Sequence, residues 1–246
     1  MSRLVDVGLV ALVAGLVVAL GLGLEAAAQR AALPPARRRS LRLRTLAVVG
    51  LWLGLTALLA QVGALALGTS GPPRVLLLPL TAFAALMAVN RTPTFRMLLG
   101  ALPPSWPVAL QAFRVGVELV LWGLSLTHRV PVQITFEGRN FDVGIGASAL
   151  LVAALVARHR LSPPWLLAWN AAGLAMLVNV IGTVATSIPG PLHLPWPGEP
   201  LTAIATWPMV WLPAFLAPFA VFLHLVSIRQ TVARLGMPAA AQGSLR

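Results

Sequence analysis

The chain reads as an all-α protein, a polytopic membrane helical bundle with seven transmembrane helices in a single domain over residues 1–246. Three observations predict it. The composition is 58% hydrophobic and 10% charged, with a mean hydropathy of +0.86, whereas soluble domains carry about a quarter of their residues as charges. Apolar runs recur at close to the length of about 20 residues that a helix needs to cross the hydrocarbon core at about 1.5 Å per residue. The basic residues fall between those runs in alternation. Because positively charged connections are retained on the cytoplasmic side, this places the N-terminus outside and the C-terminus in the cytoplasm.

The first run, residues 4–28, is followed by Arg30, Arg37, Arg38, Arg39, Arg42 and Arg44. Ala26–Ala28 offers a small-x-small site, but signal peptides place their charge before an apolar run of about 7–15 residues. Here the run Val7–Leu24 is longer and the arginines come after it, so the segment is expected to stay as a span. The second run, 45–68, lies in the charge-free stretch Thr45–Pro73. The third, 75–90, is confined between Arg74 and Arg91 and carries Pro79, which leaves a re-entrant hairpin as the alternative. The fourth, 106–128, contains charges; the fifth, 142–158, is short; the sixth and seventh, 165–187 and 208–232, lie in the charge-free stretches Leu161–Leu192 and Pro200–Ile228. Thirteen arginines then face the cytoplasm: the six of the first connection, Arg91, Arg96, Arg158, Arg160, Arg229, Arg234 and Arg246. Four lie opposite: Arg3, Arg74, Arg129 and Arg139. Trp106, Trp165 and Trp169 fall near the inner interface and Trp196, Trp207 and Trp211 near the outer one, where indole rings collect. Small residues four apart, Ala11 and Gly15, Gly50 and Gly54, Gly144 and Ser148, are expected to let helix backbones approach within the bundle. The connection before the seventh span has five prolines in the twelve positions Pro189–Pro200, which predicts a stiff, extended cover for the outer mouth.

All 18 basic residues are arginine, and lysine, cysteine and tyrosine are absent. Thiol redox chemistry, thioether haem attachment and a lysine Schiff base are thereby excluded. The net charge of +12 does not gather on one face beside base-stacking aromatics, so no nucleic acid partner is expected. The partner that fits is the lipid bilayer itself, with anionic headgroups at the cytoplasmic face meeting Arg37, Arg38, Arg39, Arg42 and Arg44. Of the four histidines only His224 falls inside a span, while a haem needs ligands on facing helices, so no haem is expected. His128, His193, Glu137, Asp142 and Glu199 on the outer side show no metal-ligand spacing, and no metal or other cofactor is expected. Phosphate-binding loops, zinc-protease helices and nucleophile elbows are not found.

An ionisable group near the bilayer centre costs several kcal/mol and is therefore paired or functional. The fourth span carries two, Arg114 and Glu118, in a stripe with Gln111, Trp122 and Ser125 on one helical face. Four residues apart, they can pair with each other. Gln61, Asn179 and His224, with Ser227, are the expected company from other spans. Pro213 and Pro218 free the carbonyls of Met209 and Ala214, which adds acceptors to the interior. An outer-face cluster follows in "TFEGRNFDVGIGA", residues 135–147: Glu137, Arg139, Asn140 and Asp142. Asn140 can cap the fifth helix and Asp142 can sit in its first turn, worth about 1 kcal/mol together with the helix dipole. Gly138 permits a turn. Glu137 and Arg139 are either a solvated, self-paired joint or the lining of a cavity mouth.

The run "QAFRVGVELVLW" followed by "VPVQITFEGRNFDVGIGASALLVA" resembles bacterial multi-helix membrane proteins of unknown function, over about residues 103–232. Their pattern is a glutamine, an aromatic and arginine, then a proline, then a glycine with a nearby aspartate leading into a glycine-rich helix. The resemblance implies that Arg114, Gly138 and Asp142 belong to that pattern and that the protein resides in a bacterial inner membrane. It implies no activity. Three classes of function remain. One is a transporter, permease or proton-linked carrier for an unknown small ligand. The second is a structural or assembly module binding lipid or a partner. The third is a lipid-handling enzyme using Glu118 or Asp142 as acid or base, with His224 and Ser227 three apart as its nearest approach to a nucleophile and base.

Overall fold

The structure, a computed structural model, describes residues 2–68 and 72–236, and among them every regular element is helical. Arg246, counted above with the tail, lies outside the described residues. Helix α1 spans Ser2–Arg30 and α2 spans Pro35–Gln61. Pro35 opens α2 because the first turn has no use for its missing N–H. With no breaker after it, the arginine-rich stretch joins the helix, and Arg37–Arg44 occupy its first turns instead of a connecting loop.

A 3-10 turn, Arg74–Leu76, leads into α3 (Leu77–Asn90), which bends by 80° into α4 (Pro93–Ala101). The break has a local cause. Thr92 accepts a hydrogen bond from the Phe95 amide at 3.2 Å and Pro93 opens a new helix, so α3 cannot run on. The carbonyls left over at both helix ends are met from the last helix: Arg229 Nη1 donates to Asn90 O at 2.8 Å, and Gln230 Nε2 donates to Leu99 O and Leu102 O, each at 2.9 Å.

Helices α5 (Ser105–Leu110) and α6 (Phe113–Ser125) form one apolar length interrupted at Gln111 and Ala112. After them come α7 (Asp142–Ala157), α8 (Pro163–Ser187) and, through a π-helical turn at Leu212–Leu216, α9 (Ala217–Leu235). Among the described residues, five helical lengths are long and apolar enough to cross a membrane, or six if the bent pair α3–α4 counts as one broken span; α7, at 16 residues, is shorter. The prolines shape the π-helical turn. Met209 O accepts from Leu212 N at 2.9 Å, and Ala214 O accepts from the Trp52 indole at 2.9 Å. Trp211 returns the exchange by donating to Leu53 O at 3.0 Å, which ties α2 to the turn before α9.

One apolar core joins Leu9 and Val13 of α1, Leu121 and Leu124 of α6, Leu177 of α8 and Phe219 of α9. Small-residue spacing marks the wrong contacts. Gly15, Gly50, Gly54 and Gly144 have nothing within 4 Å of where a Cβ would stand, so they face outward. The close approach is at Gly146, where a Cβ would lie 2.9 Å from Val115 N, and it seats α7 on α6. The proline-rich connection also departs from a simple cover. Its tip is exposed, but it is pinned by Trp196 Nε1 donating to Thr186 Oγ1 at 3.0 Å, and from Leu201 onward it returns to the core.

The bundle has two distinct ends. At the arginine end Glu25 meets Arg38 at 3.6 Å and Arg42 at 3.3 Å. At the loop end Asp6 pairs with Arg129 at 2.7 Å.

Candidate functional site

From α6 the chain does not stay outside. Gly146 lies beside Val115, so the start of α7 at Asp142, four residues earlier, sits about 9 Å short of the end of α6 at a rise of about 1.5 Å per residue. The connection 126–141 therefore folds back into the loop end of the bundle. Gly138 makes the reversal possible: a Cβ there would fall 2.3 Å from Val132 O and 2.5 Å from Gln133 Cα. Within this segment Gln133, Ile134, Thr135 and Asn140 are buried, as irregular backbone at membrane depth must be.

The fold-back delivers Asp142 to Arg114. The guanidinium, 1% exposed, donates through Nε to Asp142 Oδ2 at 2.6 Å and makes an ion-pair contact through Nη2 with Asp142 Oδ1. The expected Arg114–Glu118 pair is not formed. A carboxylate arriving end-on from another helix can present both oxygens to the guanidinium fork, which a neighbour on the same helix cannot do as well. Asp142 is thus the first residue of α7 but more than a dipole partner. Arg114 also donates to His224 Nε2 at 2.8 Å and to Gly173 O at 3.4 Å. Because guanidinium can only donate, His224 Nε2 accepts, so its hydrogen is on Nδ1 and is donated to Asn170 Oδ1 at 2.9 Å. Asn170 Nδ2 in turn donates to Leu166 O at 2.8 Å and to Ser227 Oγ at 2.9 Å. Asn170 was missed in the sequence, although a lone amide in an apolar helix is the same signal that singled out Asn179. Gly173 leaves the room that His224 fills; a Cβ there would lie 2.2 Å from His224 Cε1. His224 is engaged by Arg114 and Asn170, and Ser227 by Asn170, so the two do not form a nucleophile and base.

Glu118 stands apart. It is 1% exposed, its Oε1 accepts from Asn140 Nδ2, the Phe136 backbone N–H also acts on the carboxylate, and its buried Oε2 makes no hydrogen bond of regular geometry. Asn140 holds three positions at once, because its Oδ1 also caps the Asp142 amide at 3.1 Å and its Nδ2 reaches Ile134 O at 3.1 Å. Glu118 borders a cavity of about 110 Å³. Arg114, Asn140 and Asp142 share that border, and the remaining wall is apolar, including Phe113, Leu177, Val180, Ile181, Pro213 and Ala220. Ile181 is 40% exposed, so the wall is open at the flank of α8 that faces Pro79 of α3.

The other expected members lie elsewhere. Gln111 is buried and donates to Ala220 O at 3.0 Å. Asn179 does not reach Arg114; its amide donates to Arg139 O at 2.6 Å and braces the fold-back. Gln61, at the last turn of α2, is exposed and outside the cluster, because the helix ends beyond the polar layer. Glu137 and Arg139 do not line the cavity. Glu137 accepts from the Trp122 indole at 3.0 Å and Arg139 lies over the Trp196 ring at 5.3 Å, so both fasten the loop end. Among the arginines of α2, Arg37, Arg39 and Arg44 are exposed, whereas Arg38 and Arg42 are drawn to Glu25.

A second cavity, of about 390 Å³, opens at the arginine end between Pro104, Val156, His159, Leu166, Thr231 and Arg234. Thr231 donates to Ser227 O at 2.8 Å. A continuous polar chain runs from Glu118 through Asn140, Asp142, Arg114, His224 and Asn170 to Ser227, with the first cavity at its Glu118 end and Thr231, on the wall of the second, bonded to its Ser227 end. Comparison with protein-family models, with curated proteins and with solved structures finds no match.

Proposed function

We propose that the protein is a seven-pass protein of a bacterial inner membrane, N-terminus outside, that carries a small solute past the polar layer with a proton exchanged at Glu118. The observation that carries this reading is Glu118, which lines a cavity and has one buried oxygen without a hydrogen bond, while Asp142 supplies the ion pair of Arg114. A structural ion pair has no need of a second acid. Cavities at both ends of the polar chain support access from either end in turn, with the chain as the barrier between them. Counting α3–α4 and α7 as crossings gives seven and puts Arg37, Arg39 and Arg44 against anionic headgroups of the cytoplasmic leaflet.

Native mass spectrometry of the protein in lipid nanodiscs is expected to show a copurifying small molecule that is missing from Glu118→Gln, with little change in melting temperature. A Glu118→Gln protein that melts far below the parent and loses no ligand would make Glu118 a structural element and end the reading. The opening beside Ile181 favours one alternative, a site for lipid-derived molecules arriving sideways from the bilayer. A copurifying acyl chain would select it.

A further inference from the structure

The charges around the cavity do not balance. Arg114 contributes one positive charge and Asp142 cancels it through two contacts, while His224 is neutral, with its single hydrogen on Nδ1 and Nε2 occupied by Arg114. The cavity borders hold no other titratable side chain besides Glu118: α3, α8, the π-helical turn and α9 present apolar residues to it, and the fold-back presents Asn140 and Ile134. An ionised Glu118 would leave a net negative charge enclosed in apolar surroundings, which is strongly disfavoured. The site therefore stands either with a proton on Glu118 or with a cation beside it.

We propose that the cavity binds a small tertiary ammonium ion, one N–H and short alkyl arms, in exchange for the proton of Glu118. This rests on the carrier reading above and names its substrate class. The donor set does not suit calcium or magnesium, which take about six oxygen ligands, because the described residues bring no group of three or more His, Cys, Asp or Glu side chains together. Glu118 supplies one free buried oxygen. One acceptor calls for one donor, and a trialkylammonium ion has a single N–H surrounded by carbon that suits the apolar wall. Phe113 on that wall is an aromatic side chain of the kind that attracts cations. Size is limiting: the cavity is about 110 Å³, and about 150 Å³ accommodates benzene. Trimethylammonium, with four heavy atoms, fits. Charge and mass balance are simple: the Glu118 carboxylic acid and the ammonium ion give the carboxylate–ammonium pair and one proton released to water, with no covalent bond to carbon formed or broken.

The test uses the full chain in nanodiscs, titrated with trimethylammonium chloride, with tert-butanol as an uncharged single-donor control of similar shape and one more heavy atom. Calorimetry in two buffers of different ionisation enthalpy counts protons. Saturable trimethylammonium binding is expected, with one proton released per ion and, while Glu118 is protonated in the free protein, an affinity rising about tenfold per pH unit. Glu118→Gln is expected to abolish it, and Val180→Phe, which fills the wall without touching a charge, is expected to weaken it strongly. Saturable binding without proton release, or binding that survives Glu118→Gln, overturns the exchange. If tert-butanol instead binds in a Glu118-dependent manner and trimethylammonium does not, the small-solute site stands and the ammonium class falls. If neither probe binds, the ammonium proposal falls; Glu118→Gln melting and ligand retention then decide the carrier reading separately.

Discussion

Replacing Asp142 by asparagine is the most direct test of the ion pair. The side chain keeps its size and can still accept one hydrogen bond, but the negative charge is lost. Arg114 is 1% exposed and Asp142 7%, so the guanidinium would be left enclosed with only His224, Gly173 O and a neutral amide as company. Breaking a buried pair by removing one partner costs about 3–5 kcal/mol. Loss of a favourable helix-start residue costs only about 1 kcal/mol. The two magnitudes separate the roles. Reversible unfolding in mixed detergent micelles, with helicity followed against denaturant fraction, is expected to place Asp142→Asn in the larger range and Arg114→Gln near it. The double variant should recover much of the loss, because neither charge is then stranded. A cost for Asp142→Asn near 1 kcal/mol, or single losses that simply add in the double variant, would refute a coupled pair and return Asp142 to a helix-start role.

Further expectations follow from the same contacts. Gly173→Ala drives a Cβ to 2.2 Å from His224 Cε1, so it should cost about 1–3 kcal/mol as overpacking does; Gly173→Ala combined with His224→Ala should relieve part of that cost in the same unfolding assay, and no relief would mean the clash is taken up elsewhere. Trp52→Phe leaves Ala214 O without its donor and is expected to cost about 1–3 kcal/mol, whereas Trp211→Phe should cost less, because Thr56 Oγ1 still donates to Leu53 O at 3.1 Å; unchanged stability in Trp52→Phe would show that its indole bridge contributes nothing. Changing the exposed Arg37, Arg39 and Arg44 to glutamine should weaken binding to anionic vesicles by about 1 kcal/mol per residue in a salt-sensitive way, whereas Arg38→Gln and Arg42→Gln should act first on Glu25. Equal effects from the two sets in a vesicle flotation assay would remove that distinction.

Membrane character and the enclosure of Arg114, Glu118, Gln111 and His224 were legible in the sequence, since a charge or amide inside an apolar run has few places to go. The pairing was not. Asp142 is 28 residues from Arg114, and the connection before it, with Glu137, Gly138, Arg139 and Asn140, has the composition of a surface loop. Composition reports the average environment of a segment, and here Glu137 and Arg139 do stay exposed while Asn140 beside them is buried, satisfied by Glu118, Ile134 O and the Asp142 amide. The i, i+4 spacing of Arg114 and Glu118 promised the wrong partner for a related reason: helical geometry says which residues are near, not which of two acids reaches the guanidinium end-on. The start of α2 escaped notice because a run of arginines reads as a boundary by charge while favouring helix by propensity.

The shortness of α7 and the burial of Asp142 are one feature. Sixteen residues make about 24 Å of helix against a hydrocarbon thickness of about 30 Å. Had α7 begun at the level where α6 ends, its first-turn carboxylate would have met headgroups and water, with Arg114 stranded below. Starting the helix about 9 Å deeper brings its N-terminal dipole and Asp142 to the guanidinium together, and the fold-back that reaches that depth supplies Asn140 for Glu118. Asn140 therefore couples the two acids: its Oδ1 holds the amide of Asp142, and its Nδ2 holds the carboxylate of Glu118. Any change of charge at Glu118 alters the hydrogen bond on one side of that amide and pulls on the start of α7 through the other, which gives Glu118 a direct mechanical connection to a helix end.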